Sequence, residues 1–329
     1  MKGTLFDVAQ AFIEQHEKKS ATVRPTNLHK LLLSAGYAHF DMAFAELYFQ
    51  EAMASQGADG MILQQVDETA DVAAFPLHGA LLWYLYSVSK NKSQSKHFLE
   101  KLYPRVLSWH AYLFSQRDAQ EAALPAIFHP AESLIEPLEA SVLPVQEPLF
   151  LAALAWSNEG LIKIGHLLKV DILEVIQWHE LSIFSMNNKL WDMEQGAFAA
   201  FSIHEGEKKR LHTMAGLLPM IGEVPTQDQA EQILQELEAA FLTDQGEGFI
   251  LFPSRVGESQ ASILANWLLY RGLKRYDFDT LAGLLRRNML QLLKQHGFYE
   301  HFDAQCGEPT DPHPDPAIAA IALDLLKGK

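Results

Sequence analysis

Residues 266–308 read NWLLYRGLKRYDFDTLAGLLRRNMLQLLKQHGFYEHFDAQCGE, and the organisation of the chain can be worked out from this stretch. Apolar residues recur at helical spacing over 263–273 and again over 281–292, which predicts two helices that each bury one face. Gly297 ends the second helix. The loop that follows places Glu300 between aromatic residues. Two helices that present an acidic, aromatic loop predict a candidate functional site.

The composition is typical of a globular protein with a large core. The chain has 329 residues, of which 48% are hydrophobic and 20% are charged, and its formal net charge is −15. Nucleic acids and anionic membrane surfaces bind clustered positive charge, so the acidic balance disfavours both kinds of partner. Composition does not shift at any point along the sequence, which predicts one domain over residues 1–329.

Cofactor and compartment predictions follow from what the sequence lacks. Cys306 is the only cysteine, so an intramolecular disulfide and a cysteine-based zinc site are both excluded. The histidines are scattered without compact ligand spacing, and no glycine-rich phosphate loop is present, so we expect no metal and no cofactor. No signal peptide or spanning segment is recognisable, which predicts a soluble, cytoplasmic protein.

Helical pairs recur about every fifty residues, joined by alternating short turns and longer loops. Residues 148–156 (PLFLAALAW) and 263–270 (ILANWLLY) are apolar on all sides, as expected of helices in an inner layer, whereas other segments are amphipathic. This rhythm predicts an all-α fold in which an inner ring of helices is surrounded by an outer ring, an α/α toroid.

The stretches NWLLYRGL (266–273) and GFYEHFD (297–303) resemble the C-terminal part of the six-hairpin glycosidases, in particular the trehalase-like, mannosylglycerate-hydrolase-like and processing-glucosidase-like enzymes. The resemblance implies an (α/α)6 six-hairpin toroid, somewhat shortened at its N-terminal end. In these enzymes the glutamate of a GFYEYFD-type loop is the catalytic base. The resemblance therefore assigns that role to Glu300.

A second part of the resemblance concerns residues 101–118 (KLYPRVLSWHAYLFSQRD) and the proline-rich segment that follows. In the family that segment reads H-P-W-E-S-G-x-D-N-S-P, and its aspartate is the general acid. His129, Glu132 and Ser133 match the pattern, and Glu136 falls where the acid should be. A general acid must keep its proton near neutral pH, which an apolar setting or a nearby carboxylate such as Glu132 or Glu139 could ensure.

Several segments that line the sugar pocket in the family are altered here. Residues 258–265 stand in place of Y-W-R-G-P-x-W, residues 34–41 in place of W-x-W-D-S, and residues 315–321 lack the tryptophan of F-S-W-T-A-A-L. Sugar binding relies on aromatic faces and charged donors, so these losses imply a different substrate or none. The side chains predicted to contact a substrate are His129, Glu132, Tyr299 and Trp267, the last of which is also expected to be buried on an inner helix.

The leading functional prediction is inverting hydrolysis of an α-linked sugar or small glycoside, with Glu136 as acid and Glu300 as base. One alternative is a non-catalytic relative that keeps the toroid as a ligand-binding or protein-interaction scaffold. Another is a sugar isomerase or lyase on the same fold, because a fold does not determine a reaction. The carboxyl pair favours the first, whereas the altered pocket segments favour the second.

Overall fold

The structure, a computed structural model, describes residues 3–19, 26–64, 71–237 and 251–327. These ranges contain eleven α-helices. Their bounds are α1 Leu5–Lys19, α2 Asn27–Tyr37, α3 Met42–Ala52, α4 His78–Val88, α5 Lys92–Gln116, α6 Pro148–Leu168, α7 Leu173–Lys189, α8 Gln227–Glu236, α9 Ile263–Arg275, α10 Asp279–His296 and α11 Pro316–Lys327.

The inner ring is closed. In chain order α2, α4, α6, a 3-10 turn at Leu218–Gly222, α9 and α11 each pack against the next member, and α11 packs back onto α2. Along the chain, each inner element follows an outer helix. The outer helices pack against the ring: α1 lies on α11, α3 on α2, α5 between α4 and α6, α7 on α6, and α10 on α9. This alternation of outer and inner elements confirms the predicted six-hairpin α/α toroid.

The fourth inner position is the shortest of the ring. There a 3-10 turn at Leu218–Gly222 replaces an α-helix, and all of its residues are buried between α6 and α9. Pro219 lies in the first turn, where its missing N–H costs nothing. The first pair, α1 and α2, is present in the ring, so the reduced element lies in the fourth hairpin rather than at the N-terminal end.

Helices α4 and α6 approach each other closely at two glycines. A Cβ atom added to Gly160 would lie 2.2 Å from the carbonyl oxygen of Gly79, and one added to Gly79 would lie 2.2 Å from that of Ser157. The Ser157 hydroxyl accepts a hydrogen bond of 2.6 Å from the backbone N–H of Gly79. Because any larger side chain would collide with backbone, this crossing requires glycine on both helices.

Helix α5 runs without interruption through Pro104, where the sequence predicts a kink or restart. Proline cannot donate to the carbonyl one turn earlier, that of Glu100. Glu100 is exposed on the outer surface, where water can satisfy this carbonyl. The missing hydrogen bond at Pro104 is therefore tolerated without a break in the helix.

Within the part of the chain that the structure describes, seven short strands connect the helices in three small sheets. Their bounds are β1 Val145–Gln146, β2 Trp191–Asp192, β3 Ala197–Phe198, β4 Ala200–Ser202, β5 Glu207–Lys209, β6 Gln260–Ser262 and β7 His301–Asp303. The orders are β1-β4-β5, β2-β3 and β6-β7, and every pairing is antiparallel. Among the described residues, no helix combines the length and apolar character needed to cross a membrane.

Candidate active site

A cavity of about 680 Å³ opens at the N-terminal ends of the inner helices. Its wall includes Thr26 and His29 at the start of α2, Ser262 at the start of α9, and Asp315 at the start of α11. Helix N-termini carry partial positive charge and unpaired N–H groups, so this end of the ring favours carboxylates and oxygen-rich ligands.

Glu300 lies in the wall of this cavity, positioned by the pairing of β6 with β7. Ser262 is opposite His301 in that pairing, which places the Ser262 hydroxyl beside the Glu300 side chain. The hydroxyl donates a hydrogen bond to Oε1 of Glu300, and the backbone N–H of Leu264 donates to the same atom at 3.4 Å. Glu300 is thus anchored through one carboxylate oxygen at the start of α9.

Burial raises the pKa of Glu300 to about 7. The hydrogen bond from Ser262 and the charge of His301 act in the opposite direction, whereas the negative charge of Asp315 adds to the rise. A carboxyl group with this pKa exchanges its proton near neutral pH, as an acid-base catalyst must.

Glu136 is held by the hydroxyl group of Thr213, which donates to its Oε2 atom at 2.6 Å. Thr213 caps the 3-10 turn Met214–Gly216, and its hydroxyl accepts from the Ala215 N–H at 3.3 Å. Thr213 lines the cavity together with Ile135 and Pro137, the two neighbours of Glu136, whereas Glu136 itself is not part of the wall. The two candidate catalytic carboxylates are therefore held in the same way: a hydroxyl group that caps a helical turn also donates a hydrogen bond to the glutamate.

Ser254 ties these two hydroxyl residues together. Its carbonyl accepts from the Met214 N–H at 3.0 Å, next to Thr213, and its hydroxyl accepts from the Ser262 N–H at 3.1 Å. Ser254 also lines the cavity. The segment around it thus connects the part of the rim that holds Glu136 to the part that holds Glu300.

Glu147, the N-cap of α6, is a buried carboxyl group on which the charge of Glu136 acts. Burial raises the pKa of Glu147 to about 8, two backbone N–H groups oppose the rise, and the charge of Glu136 adds to it. Glu147 is accordingly neutral at pH 7 and places no second charge beside Glu136. The sequence also predicts Glu132 and Glu139 as carboxylates beside Glu136. In the structure, Glu132 is neutralised by its ion pair with Arg117, and Glu139 is exposed.

The structure places His129 and Glu132 outside the cavity wall. Glu132 is buried and forms an ion pair of 2.7 Å with Arg117, and it also accepts from the N–H groups of Ala73 and Phe128, both at 2.8 Å. The His129 ring accepts from the Ala131 N–H at 3.1 Å. Both side chains therefore fix the loop that carries Glu136, and neither lines this cavity, so their contact with substrate stays a prediction.

Trp267 and Tyr299 also lie outside the cavity wall. Trp267 is only 3% exposed, as expected of an inner helix, and its Nε1–H donates to Asp324 at 2.7 Å. Tyr299 is half-buried and packs edge-on against Phe302. The structure thus assigns both aromatic residues to the packing of the ring, which replaces the predicted contact with substrate.

The sequence pattern does not assign several polar residues to this wall, among them Ser262, Thr213 and His29. Ser262 belongs to the segment 258–265, which was interpreted only as a loss of family residues. A serine before an apolar helical run is a recognisable N-cap signal, and that signal could have identified it. Residues 34–41, expected near the pocket, lie at and beyond the C-terminal end of α2, and none of them lines the cavity.

Among the described residues, no group of three or more His, Cys, Asp or Glu side chains is arranged to hold a metal ion. Two histidines of the cavity are paired with carboxylates: His29 with Asp315 at 2.9 Å and His301 with Asp311 at 3.0 Å.

Comparison with known proteins finds similarity to mannosylglycerate hydrolases in both sequence and structure. Residues 30–136 match the model of the mannosylglycerate hydrolase MGH1-like glycoside hydrolase domain. The mannosylglycerate hydrolase of Thermus thermophilus is 24% identical over 320 residues, which cover 78% of this chain and 77% of that protein. That of Rubrobacter radiotolerans is 22% identical, with coverage of 78% and 74%.

Solved structures support the fold. A GH63 mannosylglycerate hydrolase of Thermus thermophilus, in complex with Tris and D-glycerate, superposes with a TM-score of 0.83 at 22% identity, covering 98% of this chain and 100% of that one. Neutral trehalase Nth1 from Saccharomyces cerevisiae superposes with a TM-score of 0.69 at 10% identity, covering 91% and 70%. Both similarities confirm that the architecture is that of the α/α toroid enzymes.

Proposed function

We propose that this chain, which has the α/α toroid fold and is similar in sequence to mannosylglycerate hydrolases, hydrolyses an α-linked small glycoside with inversion of the anomeric carbon. Glu136 is the general acid and Glu300 the general base of this proposal. In such a reaction the acid protonates the leaving oxygen, while the base takes a proton from the water that attacks the opposite face of the sugar. Each glutamate has one proton-transfer task.

One observation carries the proposal: each glutamate is held by a hydroxyl group in the wall of a single cavity. Oε1 of Glu300 accepts from Ser262 and Leu264, so its other oxygen is the one that takes the proton of the attacking water. Oε2 of Glu136 accepts from Thr213, so its Oε1 atom is the one that delivers the proton to the leaving group. Fixed carboxylates of this kind need little rearrangement during the reaction.

The relatives suggest which glycoside to test first. The proteins of Thermus thermophilus and Rubrobacter radiotolerans are named mannosylglycerate hydrolases, so mannosylglycerate is the first candidate substrate for this chain. Its carboxylate would need a cationic partner, and Arg255 lies in the cavity wall. The altered segment 258–265 favours a sugar or aglycone that makes fewer aromatic contacts than in the family pattern.

The proposal is tested with a panel of α-glycosides that begins with mannosylglycerate and includes α-glycosyl fluorides. Wild-type protein should release a product whose first-formed anomer is β, which proton NMR detects within the first minutes. Glu300→Gln should abolish this turnover. Glu136→Gln should slow O-glycosides strongly but spare the fluorides, because fluoride leaves with little help from an acid.

The rival function is a non-catalytic toroid that binds a ligand or a protein, which the altered pocket segments favour. It predicts that wild-type protein leaves the whole panel intact, while calorimetry still detects binding of a sugar. A product with retained α configuration would contradict the inverting assignment but keep the enzyme. Turnover that survives Glu300→Gln would remove Glu300 from the catalytic role.

We also infer that the chain acts in the cytoplasm, since Cys306 is its only cysteine and is exposed. An exposed thiol is suited to a reducing compartment. Fractionation of the native host, followed by detection of the protein, tests this location directly.

A further inference from the structure

His29 is clamped at the start of α2, in the wall of the cavity that contains Glu300. Its Nδ1 atom lies 2.6 Å from the hydroxyl of Thr26, and its Nε2 atom lies 2.9 Å from Oδ2 of Asp315. A doubly protonated ring satisfies both contacts, because each nitrogen then donates to an oxygen. With both nitrogens engaged, His29 acts on the site through its charge rather than through a bond to substrate.

Asp315 connects His29 to Glu300 electrostatically. Its Oδ1 atom accepts from the Ala317 N–H at 2.7 Å at the start of α11, which fixes the carboxylate in place. Burial disfavours the cationic form of His29, but the hydrogen bond and charge of Asp315, together with the charge of Glu300, outweigh it and raise the pKa of His29. The charge of Asp315 also raises the pKa of Glu300. One carboxylate therefore influences both titrating groups.

Other charged groups face the same cavity and must be included in any account of its titration. Among the described residues they are His301, which pairs with Asp311, together with His313, Arg255 and Glu258. His301 lowers the pKa of Glu300, so it acts in the direction opposite to Asp315. Arg255 has its own partner in Glu258 at 3.7 Å. Of the histidines in this wall, His29 is the one bonded to the carboxylate that opposes ionisation of Glu300.

We propose that His29 is a positioning residue for Glu300: its imidazolium neutralises Asp315, and the cavity can then hold Glu300 in the ionised form that activates water. This inference rests on the assignment of Glu300 as the base. It adds a residue that lies outside every segment used to recognise the family. In the altered pocket, the imidazolium of His29 offsets a negative charge that would otherwise act on the base.

The proposal makes opposite predictions for the two members of the pair. His29→Gln removes the cation and leaves the charge of Asp315 uncompensated, so Glu300 should lose its proton at a higher pH, by about one pH unit for a charge at this range. Asp315→Asn removes the opposing charge, so the midpoint should fall by a similar amount. Asparagine is also a good N-cap, so the start of α11 is preserved.

The midpoint is measured by carbon-13 NMR of protein labelled at the glutamate side-chain carboxyl carbon, with the Glu300 signal assigned by its loss in Glu300→Gln. This readout needs no substrate, so it remains valid if the protein proves not to hydrolyse glycosides. Where a glycoside is turned over, the acidic limb of kcat/KM against pH should move in the same two directions. His97→Gln is the matched control, because His97 is 85% exposed and pairs only with Glu100 on α5; it should leave the midpoint unchanged.

Shifts of opposite sign in the two variants support the proposal. Shifts of the same sign, or no shift in His29→Gln beyond that of the control, overturn it and reduce the pair to a structural contact between α2 and α11. Should His29→Gln fail to fold, His29→Asn and Asp315→Asn are measured instead. Loss of turnover in Glu300→Gln tests the proposed function separately, since a titrating Glu300 that is dispensable for turnover would defeat the function alone.

Discussion

The ionised form of Glu300 lowers the stability of the folded protein. Its pKa of about 7 lies above the ordinary glutamate value of 4.5. The folded state therefore holds the proton more tightly than the unfolded chain does. Stability from this residue is fully present below pH 4.5 and is lost as the pH rises through 7.

This relation predicts how Glu300→Gln changes stability. Glutamine keeps the shape of the side chain but cannot ionise, so the variant escapes the loss that the wild type suffers between pH 4.5 and 7. We expect the melting temperature of the variant relative to wild type to increase steadily across this range and to level off above it. Thermal unfolding at several pH values measures the difference. A difference that stays constant with pH would show that Glu300 is not held in its protonated form by the fold.

Arg117 and Glu132 form a buried ion pair beneath the acid-bearing loop. Their side chains are 6% and 0% exposed. Arg117→Ala would leave the carboxylate of Glu132 buried with only two backbone donors, so we predict a loss of about 3–5 kcal/mol in the free energy of unfolding. Chemical denaturation measures this loss.

The matched control for Arg117→Ala is an exposed ion pair. Arg210 and Glu194 lie 2.6 Å apart, with side chains 53% and 85% exposed. Arg210→Ala should change the free energy of unfolding by less than about 1 kcal/mol, because exposed pairs are screened by water. Equal effects of the two substitutions would contradict the role given to the buried pair.

At the scale of elements, the crossing of α4 and α6 depends on backbone contact. Gly160→Ala would place a methyl group 2.2 Å from the carbonyl oxygen of Gly79, so the helices must separate. We expect a loss of about 3 kcal/mol in the free energy of unfolding, at the upper end of the usual cost of overpacking.

Gly283→Ala is the control, since Gly283 is an exposed position of α10 where an added methyl group meets nothing within 4 Å. Alanine there should stabilise by about 0.5–1 kcal/mol. Similar losses in both variants would indicate a general intolerance of the fold rather than a close crossing.

The same elements show how far the sequence alone could lead. Periodicity predicted α9 and α10 because their apolar stripes are local features of the chain. The 3-10 turn Leu218–Gly222 was not predicted as an inner element, since five buried residues have no period of their own. The hydroxyl partners were missed for another reason: Thr213 is 77 residues from Glu136, and Ser262 is 38 residues from Glu300. Such contacts follow from the closure of the ring and leave no signal in the local pattern.

Trp267 shows a different limit. Its burial could be predicted, because it lies within an apolar helix. Its role could not, because a tryptophan on an inner helix can face either a ligand or a neighbouring helix. The hydrogen bond to Asp324 on α11, 57 residues away, shows that Trp267 faces a neighbouring helix. Trp267→Phe would keep the packing but remove this bond.

At the scale of the whole molecule, ring closure predicts cooperative unfolding. The described core forms one contiguous cluster from Ala9 to Leu325, and each inner element has a neighbour on both sides. We propose that residues 1–329 form a single domain and expect one calorimetric transition, with a calorimetric enthalpy equal to the van't Hoff enthalpy. Two resolved transitions would show that part of the ring unfolds independently and would contradict the single domain.

Ser262 and Thr213 each cap a helical turn and also hold a glutamate. Selection for folding alone could maintain the first task but not the second. Each hydroxyl accepts a backbone N–H at the start of a helical turn, so a lineage with no catalytic activity would still keep it as a cap. Glu300 offers the fold no such benefit, because its charge is disfavoured at neutral pH. Random substitution under selection for stability alone would replace it with a neutral residue. A glutamate at a position where its charge weakens the fold is what the proposed catalytic role of Glu300 predicts.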